Sequence, residues 1–452
     1  MARVVVIGAN AAGATVAANL NRTLSDEHEV VLLERSNSTS YSACGIPYWV
    51  AGDVDSVDDL VARTPQEHRD HGIDLRLGVE VTGLDIEARR LTLADGETLD
   101  YDRLVLATGA EPIRPDLPGI GGGGILGVQS LEDGQAVLDA MAQQPRRVVV
   151  VGSGYIGLEM AEACVTRGFD TTVVERADTP LPIVESELGE QIAEAMRSRG
   201  ITLRSGTDVT GFTLDGGRVV AVEADGDSIP ADLVILGLGV QARTELAVDV
   251  GLPTGPRRSL LVGPHQRVEG HDDIWAAGDC VASVDRVTGE KVHIALGTHA
   301  NKQGMVAAAS IAADVRGDSS ALTFPGVVQT AITKFCSLEI SRTGLGVQQA
   351  RDAGFDPVSA SIVTTNIAGY MPGAAEMTVL MIADRSTRRL LGAQIVGAED
   401  AALRIDVAGT ALAGGLTVDE VVMLDLAYAP PFGSVWSPLQ VAARAVVRAL
   451  DS

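Results

Sequence analysis

Cys44 stands in the stretch Ser40-Tyr-Ser42-Ala-Cys44-Gly45-Ile-Pro-Tyr48-Trp49. Its neighbours are small, and Gly45 leaves room for a second sulfur beside the thiol. A cysteine thiolate is a nucleophile and can cycle between oxidation states. The other three cysteines, Cys164, Cys280 and Cys336, are scattered along the chain and form neither a CxxC pair nor a metal-ligand spacing. All three are expected in the core. The seven histidines make no metal pattern; His68 and His71, in EHRDHG, are expected at an exposed helix end. No metal site is expected.

Electrons for such a thiol must come from elsewhere, and the flanking sequence suggests the source. Arg3–Ile7 is a continuous apolar strand that runs into Gly8-Ala-Asn10-Ala11-Ala12-Gly13 and an alanine-rich helix to about Leu24. A second strand, Glu29–Leu33, ends in Glu34, about 20 residues past the turn. This is the βαβ unit that binds a dinucleotide: glycines for the tight turn and close packing, helix N–H groups for the pyrophosphate, an acid for a ribose. Asn10 replaces the middle glycine, and asparagine tolerates unusual backbone angles. The pattern returns in full at Arg147–Val151, Gly152-Ser-Gly154-Tyr155-Ile156-Gly157, the strand Thr171–Val174 and Glu175. A carboxylate at Glu175 favours NADH over NADPH, whose 2′-phosphate it repels. Arg176 beside it softens that preference. Two further strand ends, Tyr101–Ala110 with Ala107-Thr108-Gly109 and Ile274–Cys280 with Gly278-Asp279, suit a flavin, because an aspartate beside a glycine can bind a ribityl chain.

The 452 residues allow two to four domains, and 46% hydrophobic content with 50 glycines fits a globular α/β protein. A net charge of −25 argues against nucleic acid or an anionic membrane as partner. The three lysines are Lys291, Lys302 and Lys334, so basic contacts fall mainly to arginine. The N-terminal strand, turn and helix explain the first residues better than a signal peptide does, and no apolar run reaches the ~18 residues of a membrane span. A cytoplasmic protein is expected.

In their order along the chain, these motifs resemble the two-dinucleotide-binding flavoproteins of the pyridine nucleotide-disulfide oxidoreductase family. Ser42-Ala-Cys44-Gly, Gly152-Ser-Gly-Tyr155-Ile-Gly-Leu-Glu159, Leu296-Gly297-Thr298-His-Ala-Asn301, Gly369-Tyr370-Met-Pro-Gly-Ala374 and Tyr428-Ala-Pro-Pro-Phe432 are similar to its single-cysteine branch: coenzyme A disulfide reductases, NADH oxidases, NADH peroxidases and persulfide reductases. The resemblance implies an α/β fold with two Rossmann-like domains and a C-terminal α+β dimerisation domain. The expected bounds are 1–115 and 252–322 for FAD, 116–251 for NAD(P)H and 323–452 for dimerisation. In the last, strands are expected at Ser361–Thr365, Thr378–Ala383 and Leu390–Val396, and helices at Ala401–Leu412 and Leu439–Leu450.

The same resemblance implies roles. Disulfide reductases carry a second cysteine where Trp49 stands, so Cys44 would cycle alone against the flavin, as a mixed disulfide, a persulfide or a sulfenic acid. A low thiol pKa is then needed, with a charge-transfer contact to oxidised flavin and a helix beginning near Cys44 as its expected sources. Tyr155 would cover the flavin until nicotinamide displaces it, and Glu159 would lie near the nicotinamide. Tyr370 and Tyr428 would reach the partner's active site in an obligate homodimer and protonate the leaving thiolate. Cofactor contacts are also expected from Arg35, Val81 and Gly239. Arg22 and Arg63 are candidates for the 3′-phosphate of coenzyme A. The acceptor stays open between a small disulfide or persulfide, with coenzyme A disulfide leading, and O2 reduced to water or peroxide. Ala11 replaces the histidine of the peroxidases and many oxidases, and Ala43 the asparagine usual before the cysteine of coenzyme A disulfide reductases. A flavoprotein that senses NADH without turnover is the remaining class.

Overall fold

The computed structural model describes residues 2–24 and 28–452. Apolar β-branched runs such as Arg3–Ile7 and Arg147–Val151 become central strands of two parallel sheets, buried on both faces as parallel sheets require. In the first sheet the order is Ile274–Ala276, Arg103–Leu106, Arg3–Ile7, Glu29–Glu34, Asp74–Leu77. In the second it is Ile125–Gly127, Leu233–Leu236, Arg147–Val151, Asp170–Val174, Thr202–Arg204. The two lobes repeat one plan, and each carries a small antiparallel three-stranded sheet (81–100 and 209–230) after the third parallel strand counted from the one that leads into its glycine turn. One strand order differs in origin. The edge strand of the first lobe comes from chain beyond the second lobe, whereas that of the second precedes its glycine turn. Ala110–Pro112 pairs antiparallel with Val240–Ala242 where the chain passes between lobes.

Residues beyond 330 form a five-stranded antiparallel sheet in the order Ala331–Phe335, Leu338–Gly344, Leu390–Gly397, Glu376–Asp384, Pro357–Thr365. The first two strands have no clear sequence pattern and were not among those expected. Helix Pro438–Leu450 packs on its last two strands. The expected Ala401–Leu412 helix opens as a 3-10 turn, Ala402–Arg404, before the α-helix Ile405–Gly414.

Cys44 lies in a 3-10 turn, Ala43–Gly45, that leads into the short helix Ile46–Ala51. Trp49 on that helix is buried and belongs to the core. A Cβ on Gly134, in helix Leu131–Ala142, would come within 2.9 Å of the Trp49 ring and 2.7 Å of Ile46. The position of a second cysteine is thus a packing position that seats the Cys44 loop on the second lobe.

Candidate active site

One cavity of about 2610 Å³ joins the two lobes. Sites for a single drug-sized ligand reach only ~1,000 Å³, so this one has room for more than one. On its wall lie Gly8, Asn10, Ala11, Ala12, Glu34, Arg35, Ser42, Cys44, Val81, Ala107, Thr108, Gly109, Gly278, Asp279, Leu296 and Gly297, joined by Gly152, Gly154, Tyr155, Ile156, Glu159, Glu175, Arg176 and Gly239. Arg22 and Arg63 lie on it as well. Gly13 and Gly157 sit one turn into their helices, where a Cβ would overlap the carbonyl oxygens of Gly8 and Gly152 respectively. Thr298 is exposed in the first turn of the helix that Gly297 opens.

Three helices point uncapped N-termini at this cavity: Ala11–Thr23, Tyr155–Thr166 and Gly297–Arg316. None has a side-chain cap or an acidic residue in its first turn. Two helices elsewhere, Leu131–Ala142 and Val418–Val422, are capped by Ser130 and by Thr417, each with acids in the first turn. Free N–H groups and an uncompensated dipole suit pyrophosphate or another anion. Buried atoms without a partner belong to lining residues too: Arg243 Nε, Arg342 Nε and His68 Nδ1. These features fit two dinucleotides, one at each glycine turn.

The acids after the second strands hold the turns in shape. The Ala9 N–H donates to Glu34 Oε2 at 2.9 Å. At the second turn the Ser153 N–H and hydroxyl donate to Glu175 Oε2 at 2.8 and 2.7 Å, and the Ala177 N–H to Oε1 at 2.9 Å. Asn10 needs no special backbone: its φ is −99°, in the extended range. Its Oδ1 instead accepts from the Tyr41 N–H at 3.2 Å, tying the first turn to the Cys44 loop.

Cys44 is accessible from the cavity, and among the described residues it is the sole cysteine on the wall. The expected lowering of its pKa is not found in the protein's own groups. Burial raises the thiol, and the charges of Glu159 and Asp279 add to the rise. The 3-10 turn cannot offset this, because Cys44 lies inside it rather than ahead of a long helix. Asp279 is itself pushed up to about 6 by burial. Glu159 is pushed up to about 7, chiefly by burial, and accepts a hydrogen bond from Thr333 Oγ1 at 2.9 Å.

Cys164 and Cys280 are in the core, as expected, but Cys336 is half-buried in the hairpin turn after Phe335, with a φ of 54°. EHRDHG is not an exposed end throughout: His68 is buried, and its Nε2 pairs with Ser40 Oγ at 2.8 Å. The helix Pro65–Asp70 turns that side chain inward although its neighbours are polar. Sequence reasoning also missed Tyr48, Thr333 and Lys334, which gather around Glu159, and Arg342, which is buried on the cavity wall near Tyr155. Tyr370 and Tyr428 lie outside the cavity, 76% and 47% exposed. They face each other: partial burial and the Tyr370 hydroxyl raise the Tyr428 phenol. No helix among the described residues is long and apolar enough to cross a membrane.

Comparison with known proteins agrees with this geometry. Residues 2–304 match the family model for pyridine nucleotide-disulphide oxidoreductases, and 330–438 match that family's dimerisation domain. An NAD(P)H coenzyme A polysulfide/persulfide reductase of Pyrococcus horikoshii is 35% identical over 445 residues, covering 98% of each chain. An NADH oxidase of Methanocaldococcus jannaschii is 32% identical over the whole of both chains. The structure of an NAD-dependent persulfide reductase from A. fulgidus superposes with a TM-score of 0.94 at 31% identity, covering 99% of this chain and 84% of that one. The chain therefore belongs to the pyridine nucleotide-disulphide oxidoreductases, enzymes that depend on FAD and NAD(P)H.

Proposed function

We propose that the protein passes electrons from NADH to a low-molecular-weight disulfide or persulfide, with coenzyme A disulfide as the leading acceptor, and that Cys44 is the relay. The observation that carries this reading is one cavity that runs between both glycine turns and holds a single accessible thiol. FAD would lie along Gly8–Gly13, Glu34, Gly278, Asp279 and Leu296–Gly297, and NADH along Gly152–Gly157, Glu175 and Arg176. When bound, FAD accepts a hydride from NADH and makes its two electrons available to sulfur. The Cys44 sulfur attacks the acceptor RSSR, forming Cys44–S–S–R and releasing RS⁻. Two electrons, supplied by NADH, cleave that bond and restore Cys44. One NADH and one proton give two thiols. Arg22 and Arg63, cations on the same wall, suit the phosphates of coenzyme A. Glu175 favours NADH, and NADPH remains usable through Arg176.

The C-terminal sheet would pair two copies. Tyr370, Met423, Phe432 and Val435 are large apolar residues between 69% and 81% exposed. A second copy would cover them and take Tyr370 and Tyr428 into its own site, where a phenol can protonate the leaving thiolate. Four free cysteines suit a cytoplasmic setting, where thiols stay reduced.

The test is to mix holoenzyme, NADH and coenzyme A disulfide without oxygen and follow NADH and free thiol together. Rapid NADH loss with two thiols per NADH is expected. No turnover until air is admitted would overturn the disulfide reading in favour of an NADH oxidase. Slow oxidation with every acceptor, and a stable reduced complex, would point to a sensor.

A further inference from the structure

We propose that His68 is a positioning residue for the acceptor: it holds the Ser40 hydroxyl so that its proton points into the cavity, toward a carbonyl oxygen of the acceptor's amide arm. The inference rests on the reading of a coenzyme A compound as acceptor. The cavity reaches well past the first glycine turn. Ala11, Ala14, Thr15, Ala18, Asn19 and Arg22 all lie on its wall. Their spacing marks one stripe of helix Ala11–Thr23, about 16 Å long. A dinucleotide needs only the start of that helix, for its pyrophosphate. The rest of the stripe, ending at Arg22, is open to another molecule.

Ser40, Ala62, Arg63 and His68 line the cavity as well. The stripe-bearing helix meets this group: Asn21 Nδ2 donates to the carbonyl oxygen of His71, the residue after the helix Pro65–Asp70 that carries His68. The Ala62 N–H donates to the Ser40 carbonyl at 2.8 Å, which sets Ser40 beside Arg63. Ser40 also stands four residues before Cys44 on the same loop. In coenzyme A the amide arm joins the sulfur to the phosphates. A molecule with its sulfur at Cys44 and its phosphates at Arg22 and Arg63 therefore passes Ser40 with that arm.

Ser40 has a φ of 50°, in the left-handed region that residues other than glycine adopt rarely. Its N–H donates to the Ala9 carbonyl at 3.2 Å, and Thr39 Oγ1 donates to the same oxygen at 2.6 Å. His68 is 1% exposed, and its Nε2 lies 2.8 Å from Ser40 Oγ. Burial pulls the imidazole below its ordinary pKa, and the Arg63 charge adds to the fall, so near neutrality the ring is uncharged and carries one N–H. Nδ1 has no hydrogen-bond partner among the described residues. A buried N–H without an acceptor is rare, so the ring proton belongs on Nε2, where it donates to Ser40 Oγ. The Ser40 O–H is then left to donate elsewhere. Thr39 Oγ1, at 3.5 Å, is too far to take it well. The cavity is where that proton finds a partner.

The experiment is a calorimetric titration of oxidised holoenzyme with two probes. One is S-methyl coenzyme A, whose sulfur cannot exchange with Cys44. The other is adenosine 3′,5′-bisphosphate, which lacks the amide arm. Ser40→Ala and His68→Phe should each weaken the thioether about three- to tenfold, the worth of one hydrogen bond, and the bisphosphate by less than about twofold. The double variant should bind no more weakly than either single one, because both remove the same bond. Losses that multiply in the double variant, or that strike both probes alike, would mean that the two residues act separately or only hold the fold, and the inference is wrong. Unchanged affinity in both single variants overturns it as well. If His68→Phe does not retain flavin, His68→Asn, too short to reach Ser40, takes its place in the cycle. Wild-type protein that binds neither probe would end both the inference and the coenzyme A reading. The expected losses without any turnover of coenzyme A disulfide would end the proposed reaction and leave the role of His68 standing.

Discussion

The two parallel-sheet lobes share strand order, glycine turn and acid, yet their turns are tied down differently. In the first, Asn10 fills the place of the middle glycine and holds the Tyr41 N–H, so the turn and the Cys44 loop move together. In the second, Gly154 leaves that place open: a Cβ there would meet only the Gly237 carbonyl oxygen, at 3.9 Å. The polar tie behind the turn, from Ser153 to Glu175, has its counterpart from Ala9 to Glu34, so what sets the first turn apart is the Asn10 tie alone. A turn locked to the reactive loop suits a cofactor that stays. An open one suits a cosubstrate that must arrive and leave each cycle.

The glycine pair gives the largest way to break this contrast. Gly13→Val and Gly157→Val each drive a side chain into the carbonyl of the preceding turn, a misfit of ~1–3 kcal/mol, or about 5- to 150-fold in binding. Gly13→Val should yield colourless protein, whereas Gly157→Val should stay yellow and lose NADH affinity. Absorbance and an NADH titration distinguish them, and identical losses in both would erase the difference between lobes. A smaller effect is expected from Asn10→Ala, which strands the Tyr41 N–H at a cost of ~1 kcal/mol. Flavin should dissociate about fivefold more readily, while NADH affinity in flavin-loaded enzyme stays put. Equal weakening of both would mean that the Asn10 tie is not specific to the first lobe.

Much of this architecture is legible in the chain because its signals are local. A run such as Arg147–Val151 can only be a buried strand, and Gly152–Gly157 sits directly on it. Cys44 stands out for the same reason. What escaped depends on contacts across long stretches of sequence. Thr333 meets Glu159 from 174 residues away, on a strand, Ala331–Phe335, whose mixed polar pattern hides it. His68 is buried among polar neighbours because Ser40, 28 residues earlier, accepts it as a partner. The role of Asn10 lies in its side chain and not in the backbone freedom that its type suggests. The protein's own push on the Cys44 thiol is upward, which the local motif does not reveal, because burial and two carboxylates come from folding.

The central claim is that Cys44 alone carries electrons to the acceptor. Its most direct test is Cys44→Ser holoenzyme, mixed without oxygen first with NADH and then with coenzyme A disulfide. The account predicts that NADH still bleaches the flavin, while disulfide reduction falls by on the order of a thousandfold or more. Full disulfide turnover by the serine variant would contradict it, because no other cysteine among the described residues reaches the cavity.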